Sequence, residues 1–277
     1  MRFFFKNNVL IATFPVFSAS KGKEETKKHI NMKKIFLLAA LVACLASCNV
    51  IVGKKEAMVE AERSVGKFTQ IHIMGSPTVI YTQGANHSVW VKAPQSVIDK
   101  VKTKCNGNCL VVETKGNVSF WGFSNASNHD VVVYVTSPDL TGVEVNGSGD
   151  FRSEKPIDTD NISLVVRGSG DLSIDGHLIC DNAQLTLSGS GDIDIDNLEA
   201  LTTSLTVIGS GDMEVRQHKV DNTQMQLTGS GSIKLECSDC NNVNSQLTGS
   251  GDIKISGTVK NINKAKAGTG DYYIETH

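Results

Sequence analysis

Gly147-Ser148-Gly149-Asp150 opens a series of near-identical four-residue words. The word returns at Gly168 to Asp171, Gly189 to Asp192, Gly209 to Asp212 and Gly249 to Asp252. Two variants, Gly229-Ser230-Gly231-Ser232 and Gly268-Thr269-Gly270-Asp271, complete it. The leading glycines are separated by 21, 21, 20, 20, 20 and 19 residues. A fixed period near twenty residues marks a solenoid, in which each repeat buries its apolar face only against its neighbours.

Counting from each leading glycine, positions −4 and −2 hold Val143 and Val145, Leu164 and Val166, Leu185 and Leu187, Leu205 and Val207, Met225 and Leu227. Positions +4 and +6 hold Leu172 and Ile174, Ile193 and Ile195, Met213 and Val215, Ile233 and Leu235, Ile253 and Ile255. The residues between are mostly Thr, Ser, Gln, Asp, Glu, Lys or Arg, so the period is two and each repeat reads as strand, glycine corner, strand and a looser return. The spacing predicts an all-β, single-stranded parallel β-helix of about seven coils of roughly 4.8 Å each, about 34 Å long. An antiparallel meander fits less well. Its hairpin turns would fall between every pair of strands, whereas the two connections within a repeat differ in kind. Glycine at both ends of the corner implies backbone angles or a close approach that a side chain would obstruct.

Outward from this block, Ile71, Ile73, Val79 and Tyr81 stand in the same register around Gly75, and residues 65–84 read as a first, divergent coil. From Gly84 to Gly142 the period is lost, although Val89-Trp90-Val91, Leu110-Val111-Val112 and Val131 to Val135 still read as strands. Val97 to Val101 fits a helical turn or a short strand, and Asn117 to His129 a surface loop. Residues 65–142 are therefore expected to form an irregular β-rich N-terminal cap, and residues 143–277 the regular coils. At the far end Lys264 and Lys266 replace the apolar residues at −4 and −2. Either Ala265 and Ala267 turn inward there, or the lysines close the open end and discourage edge-to-edge pairing.

The start of the chain belongs to export rather than to the fold. Met32-Lys33-Lys34, the apolar run Ile35 to Leu45 and Ala46-Ser47-Cys48 describe a signal peptide too short to span a membrane. Leu45-Ala46-Ser47-Cys48 resembles a bacterial lipobox, which implies cleavage before Cys48 and lipid attached to it. Residues 1–31 then read as a wrongly chosen upstream start, 32–47 as the signal and 48–64 as a tether. The remaining 230 residues carry 19 basic and 27 acidic side chains, a net charge of −8 against −2 for the whole sequence. Such a surface offers no long-range attraction to nucleic acid, whose affinity rests on phosphate neutralisation.

Few constellations carry chemistry. Stacking would align Asp150, Asp171, Asp192, Asp212, Asp252 and Asp271 in a column interrupted by Ser232. Each carboxylate is expected to accept hydrogen bonds from the backbone of its own corner. Weak shared calcium sites are the alternative, by analogy with the aspartate-rich calcium repeats of other β-helices. One carboxylate per coil makes a poor oxygen cage, and no cofactor is expected. Cys105 with Cys109, and Cys237 with Cys240, enclose turn-forming residues and are possible disulfides, while Cys180 reads as a buried free thiol. A four-cysteine zinc site or a redox-active Cys-x-x-Cys would need a different fold around it. The histidines are scattered, and the corner serines recur like structural elements and lack the strand-to-helix turn of a nucleophile elbow. Trp90, Trp121 and Phe123 offer an aromatic platform for a sugar, with core or cap packing as the plainer role.

The lipobox, the stretch Phe68-Thr69-Gln70-Ile71-His72-Ile73 leading to Gln83-Gly84, and the serial corners resemble the "putative auto-transporter adhesin, head GIN domain" family of Bacteroidetes and related bacteria. The resemblance spans about Val65 to Ile274. It implies a right-handed parallel β-helix and an adhesin-like role, and it brings no catalytic or ligand-binding residues with it. The expected function is accordingly a non-catalytic, lipid-anchored cell-envelope protein, an adhesin or scaffold binding a polymer, glycan or protein through flat faces lined by residues such as Thr186, Thr206, Gln226 and Gln246. The alternative is a glycan-active lyase or hydrolase with its site between Gly84 and Gly142. The lipid would place the protein on the outer membrane. The plain Asn49-Val50-Ile51-Val52 after Cys48 favours its periplasmic over its external face.

Overall fold

The computed structural model describes residues 4–6, 9–11, 56–114 and 131–276. The chain divides into two compact units, Met1–Gly53 and Lys54–His277. In the first, β1 (Phe4–Lys6) and β2 (Val9–Ile11) form a short antiparallel hairpin. The lipobox and Cys48 lie outside the described residues.

The second unit is a parallel β-helix of about seven coils. The strands before the corners are β10 (Gly142–Gly147), β13 (Asn161–Gly168), the end of β14 (Leu172–Gly189), the end of β15 (Asp192–Gly209), β17 (Asn222–Gly229), and the ends of β18 (Ser232–Gly249) and β19 (Asp252–Gly268). The leading glycines lie in one register from coil to coil, Gly147 on Gly168, Gly168 on Gly189, and so to Gly249 on Gly268. After each corner comes a second stack, β11 (Asp150–Ser153), the start of β14, the start of β15, β16 (Asp212–His218), and the starts of β18 and β19. The return, read from the sequence as loose, is a third ladder. It includes β12 (Ile157–Asp158), whose Ile157 pairs with Leu178, and Leu178 pairs in turn with Leu198.

The coil is thus three-sided. Face A ends at the glycine, face B follows the corner and face C is the return. A middle coil points seven side chains inward: Leu172 and Ile174 from face B, Leu178 and Cys180 from face C, and Ala183, Leu185 and Leu187 from face A. Burying an aliphatic side chain of this size stabilises by about 1.5–3 kcal/mol, and repetition along the stack makes one continuous core.

The two corner glycines have separate reasons. Gly189 has φ +139, a conformation closed to ordinary side chains. A Cβ on Gly191 would overlap the carbonyl oxygen of Gly170 in the coil before. Close approach lets the corner backbone bond between coils: Ser190 N–H donates to Gly168 O at 2.8 Å and Gly191 N–H to the same oxygen at 3.3 Å.

At the N-terminal end the stacking departs from chain order. The divergent coil is β4 (Gln70–Gly75) and β5 (Thr78–Gln83), with Gly75 at φ +93 matched to Gly147. Its other side is covered by β8 (Cys109–Thr114) and β9 (Val132–Ser137), both parallel to it. So the first coil lies between two coils made of later residues, with Ile71 flanked by Leu110 and Val143. Beyond it β7 (Val101–Asn106) pairs antiparallel with β8, β6 (Ser88–Pro94) with β9, and β3 (Met58–Glu62) with β6. These antiparallel strands are the cap, and among the described residues its helical element is a 3-10 turn at Ile98–Lys100.

At the C-terminal end β20 (Tyr272–Thr276) pairs with residues 253–257 only. Lys264 and Lys266 stand in the columns of Ser245 and Leu247, and both alanines beside them are exposed. The lysines rather than the alanines therefore hold the inward columns of the last coil. Tyr272 lies across the opening: its hydroxyl donates to Ala265 O at 2.9 Å and lies 3.1 Å from Ser245 Oγ, and Lys264 Nζ sits 5.6 Å from its ring centre.

Candidate binding surface

Along the edge where face C turns into face A runs a groove of about 640 Å³, reaching from Asp139 past Asn182 and Thr202 to Asn244. Strand alternation builds it. Positions −7 and −5 from each glycine point outward just after the turn, and they hold Asn161 and Ser163, Asn182 and Gln184, Thr202 and Ser204, Asn222 and Gln224. The amides tie one coil to the next: Asn182 Nδ2 donates to Asn161 Oδ1 at 2.7 Å, and Thr202 Oγ1 to Asn182 Oδ1 at 2.5 Å. Further along, Asn242 donates to Asn222 at 3.2 Å and Asn261 to Asn242 at 3.0 Å. Each amide spends one donor or acceptor on its neighbour and keeps others for solvent or a ligand. Two carboxylates line the groove, both at its N-terminal end, and Asp139 Oδ1 already accepts from Leu140 N–H and Thr159 Oγ1 at 2.8 and 2.7 Å.

This groove is what the sequence reading missed, for it expected flat faces at Thr186, Thr206, Gln226 and Gln246. The signal was present: position −7 is Asn in five of the seven repeats, at Asn161, Asn182, Asn222, Asn242 and Asn261.

Below the groove floor lies a buried polar cluster. Thr203 and Thr223 bond each other at 3.0 Å; Thr203 Oγ1 donates to Gln217 Oε1 at 3.1 Å, and Gln217 Nε2 donates to Thr223 Oγ1 at 2.7 Å. The same nitrogen lies 3.5 Å from Cys237 Sγ and 3.5 Å from Cys240 Sγ. Mutual hydrogen bonding satisfies these buried groups.

The aspartate column exists, but its bonding differs from expectation. Each carboxylate before Asp271 serves the next coil rather than its own corner: Asp171 Oδ1 accepts from Asp192 N–H at 3.1 Å, Asp192 from Asp212 at 3.1 Å, and Asp252 from Asp271 at 2.8 Å. Ser232 continues the series, donating from both N–H and Oγ to Asp212 at 2.9 Å. Burial raises the Asp171 carboxyl above its ordinary range, its neighbours Asp150 and Asp192 add to this, and the N–H of Asp192 and the charge of Arg152 oppose it. Among the described residues no three His, Cys, Asp or Glu side chains are grouped to hold a metal ion.

All five described cysteines are free thiols. Cys105 faces Leu110 and Cys109 faces Asn106 across the β7–β8 hairpin, so their side chains leave on opposite faces and are not placed for a bridge. Cys237 and Cys240 are together in the core, in a coil far along the sequence from that hairpin, and Cys180 is buried alone. Burial pushes the Cys180 thiol up to about 11. Trp90 lies directly opposite Tyr134 across β6 and β9, each about two-fifths exposed at 43% and 42%. Trp121 and Phe123 lie outside the described residues.

Solved structures share this architecture. A putative adhesin from Bacteroides fragilis NCTC 9343 superposes with a TM-score of 0.67 at 20% identity, covering 80% of this chain and 98% of its own. A putative lipid binding protein from Parabacteroides distasonis ATCC 8503 gives 0.63 at 22% identity over 79% and 97%. A putative adhesin from Parabacteroides merdae ATCC 43184 gives 0.62 at 16% over 81% and 98%. At these identities the likeness is one of fold. No curated protein matches the chain. The family model described as "Putative auto-transporter adhesin, head GIN domain" matches residues 67–239 and 203–276, nearly the whole β-helix, and the chain belongs to that family.

Proposed function

We propose that this protein is a lipid-anchored envelope adhesin or scaffold that binds an extended polymer, a glycan or a protein segment, without turning it over, along the groove between faces C and A. The observation that carries this reading is the lining: side-chain amides and hydroxyls repeat at the coil spacing from Asn161 to Asn244. Neutral donors and acceptors at a fixed interval suit a ligand that itself repeats, and each contact adds about 1 kcal/mol. Family membership agrees with a binding role at the cell envelope or surface. Lipid on Cys48 would hold the coils at the outer membrane through the tether.

A glycan array probed with the protein, with released products measured in parallel, tests the binding reading. Gln184→Ala and Gln224→Ala are expected to weaken a bound polymer about fivefold each, close to 1 kcal/mol, while leaving the fold intact. Release of product would sink the proposal, as would binding that ignores both substitutions. For the anchor, labelled palmitate should enter the wild type and not Cys48→Ala. Protease shaving of intact cells then decides which membrane face carries the coils.

A further inference from the structure

Cys237 and Cys240 are 2% and 1% exposed, and both sulfurs face the single amide nitrogen of Gln217 at 3.5 Å. Regular strand alternation would not bring them together, because residues three apart on a strand point to opposite sides. Asp239, at φ +61, breaks the alternation. The ladder shifts register at this point, with Cys237 opposite Gly257 but Cys240 opposite Val259. The bulge turns Cys240 inward beside Cys237. The preceding coil has the same device, Lys219 at φ +52, and there the inward pair is Gln217 and Val220. The bulge is thus a property of this part of face C, and this coil places two thiols on it.

We infer that Cys237 and Cys240 are a dithiol that oxidises to an intramolecular disulfide, a redox modification site inside the core next to the C-terminal end. Cys240 serves as the attacking sulfur, with Gln217 Nε2, 3.5 Å from both Sγ atoms, donating to the thiolate. It attacks one sulfur of a disulfide oxidant of the glutathione type, and the other sulfur leaves as thiolate with the bond's electron pair. Cys237 then gives up its proton and attacks Cys240 Sγ, expelling the second thiol. Two protein thiols and one donor disulfide become one protein disulfide and two donor thiols, with two electrons passed to the donor. Access comes when the last coil is open, during folding or by fraying. Among the described residues no strand pairs with the outer edge of residues 258–268, so this end is the least supported part of the stack.

The test equilibrates the full chain with oxidised glutathione, quenches with acid, denatures, alkylates and maps peptides by mass spectrometry. The expected result is loss of exactly the Cys237 and Cys240 alkylation sites, with a mass lower by two hydrogens, restored by dithiothreitol. Alkylation of both after oxidation, or linkage of either to Cys180, overturns the inference. The oxidised wild type should also melt higher than the reduced form by a few degrees, and Cys237→Ala/Cys240→Ala should abolish the difference.

Discussion

At the residue scale, the glycine corner separates two kinds of constraint that the sequence shows as one. Gly191→Ala should cost about 3 kcal/mol, because the new methyl meets backbone that cannot move without breaking the corner ladder. Gly107→Ala, at φ +59 with nothing within 4 Å, should cost only about 1 kcal/mol. Paired denaturant melts check this, and equal losses would contradict it. The aspartate column makes an opposite kind of prediction. Asp171 holds its proton above its ordinary 3.8 in the fold, chiefly through burial. A carboxyl raised in this way favours the folded state most below its unfolded value, and that advantage is lost as pH rises through the folded value. Asp171→Asn keeps an acceptor for Asp192 N–H and removes the penalty. The variant should therefore gain on the wild type in melting temperature as pH is raised from below 3.8 to neutral, and a constant difference across that range would refute the assignment.

At the element scale, faces A and B were legible and face C was not. Faces A and B keep their inward residues at −4, −2, +4 and +6 because both are measured from the same corner. Face C lies beyond a variable joint: the ladder shifts register between Ile174 and His177, and again between Ile195 and Leu198. Its inward pairs are Leu178 with Cys180 and Leu198 with Ala200, two residues apart, but Gln217 with Val220, three apart, so neither chemistry nor spacing holds along the stack. Gln217 is the most deceptive, since a polar residue at an inward position reads as surface. Its amide is satisfied by Thr203 and Thr223, and Gln217→Leu should cost about 2 kcal/mol by stripping partners from those buried hydroxyls. Calorimetry that shows no loss would mean the two threonines suffice for each other. The groove was hidden for a related reason: its asparagine column was visible, but only the third face makes that column the wall of a concavity.

At the scale of the whole molecule, the two ends are finished by different means. Antiparallel strands cover the N-terminal end, whereas the C-terminal end relies on Tyr272 and two lysines. Tyr272→Ala removes the cover over the last coil and its bonds to Ala265 and Ser245. It should raise hydrogen exchange in residues 253–268 far more than in residues 161–189, and uniform protection would show that the tyrosine is not what closes the stack. The position of the first coil has a consequence for how the chain is made. Strands β4 and β5 leave the ribosome, and any export channel, before the residues that pair with them on either side. Gly75 meets its partner only when Gly147 has appeared, so the earliest-born coil waits with both edges bare. Each later coil can dock on a surface already formed, whereas residues 68–84 must wait for both of theirs.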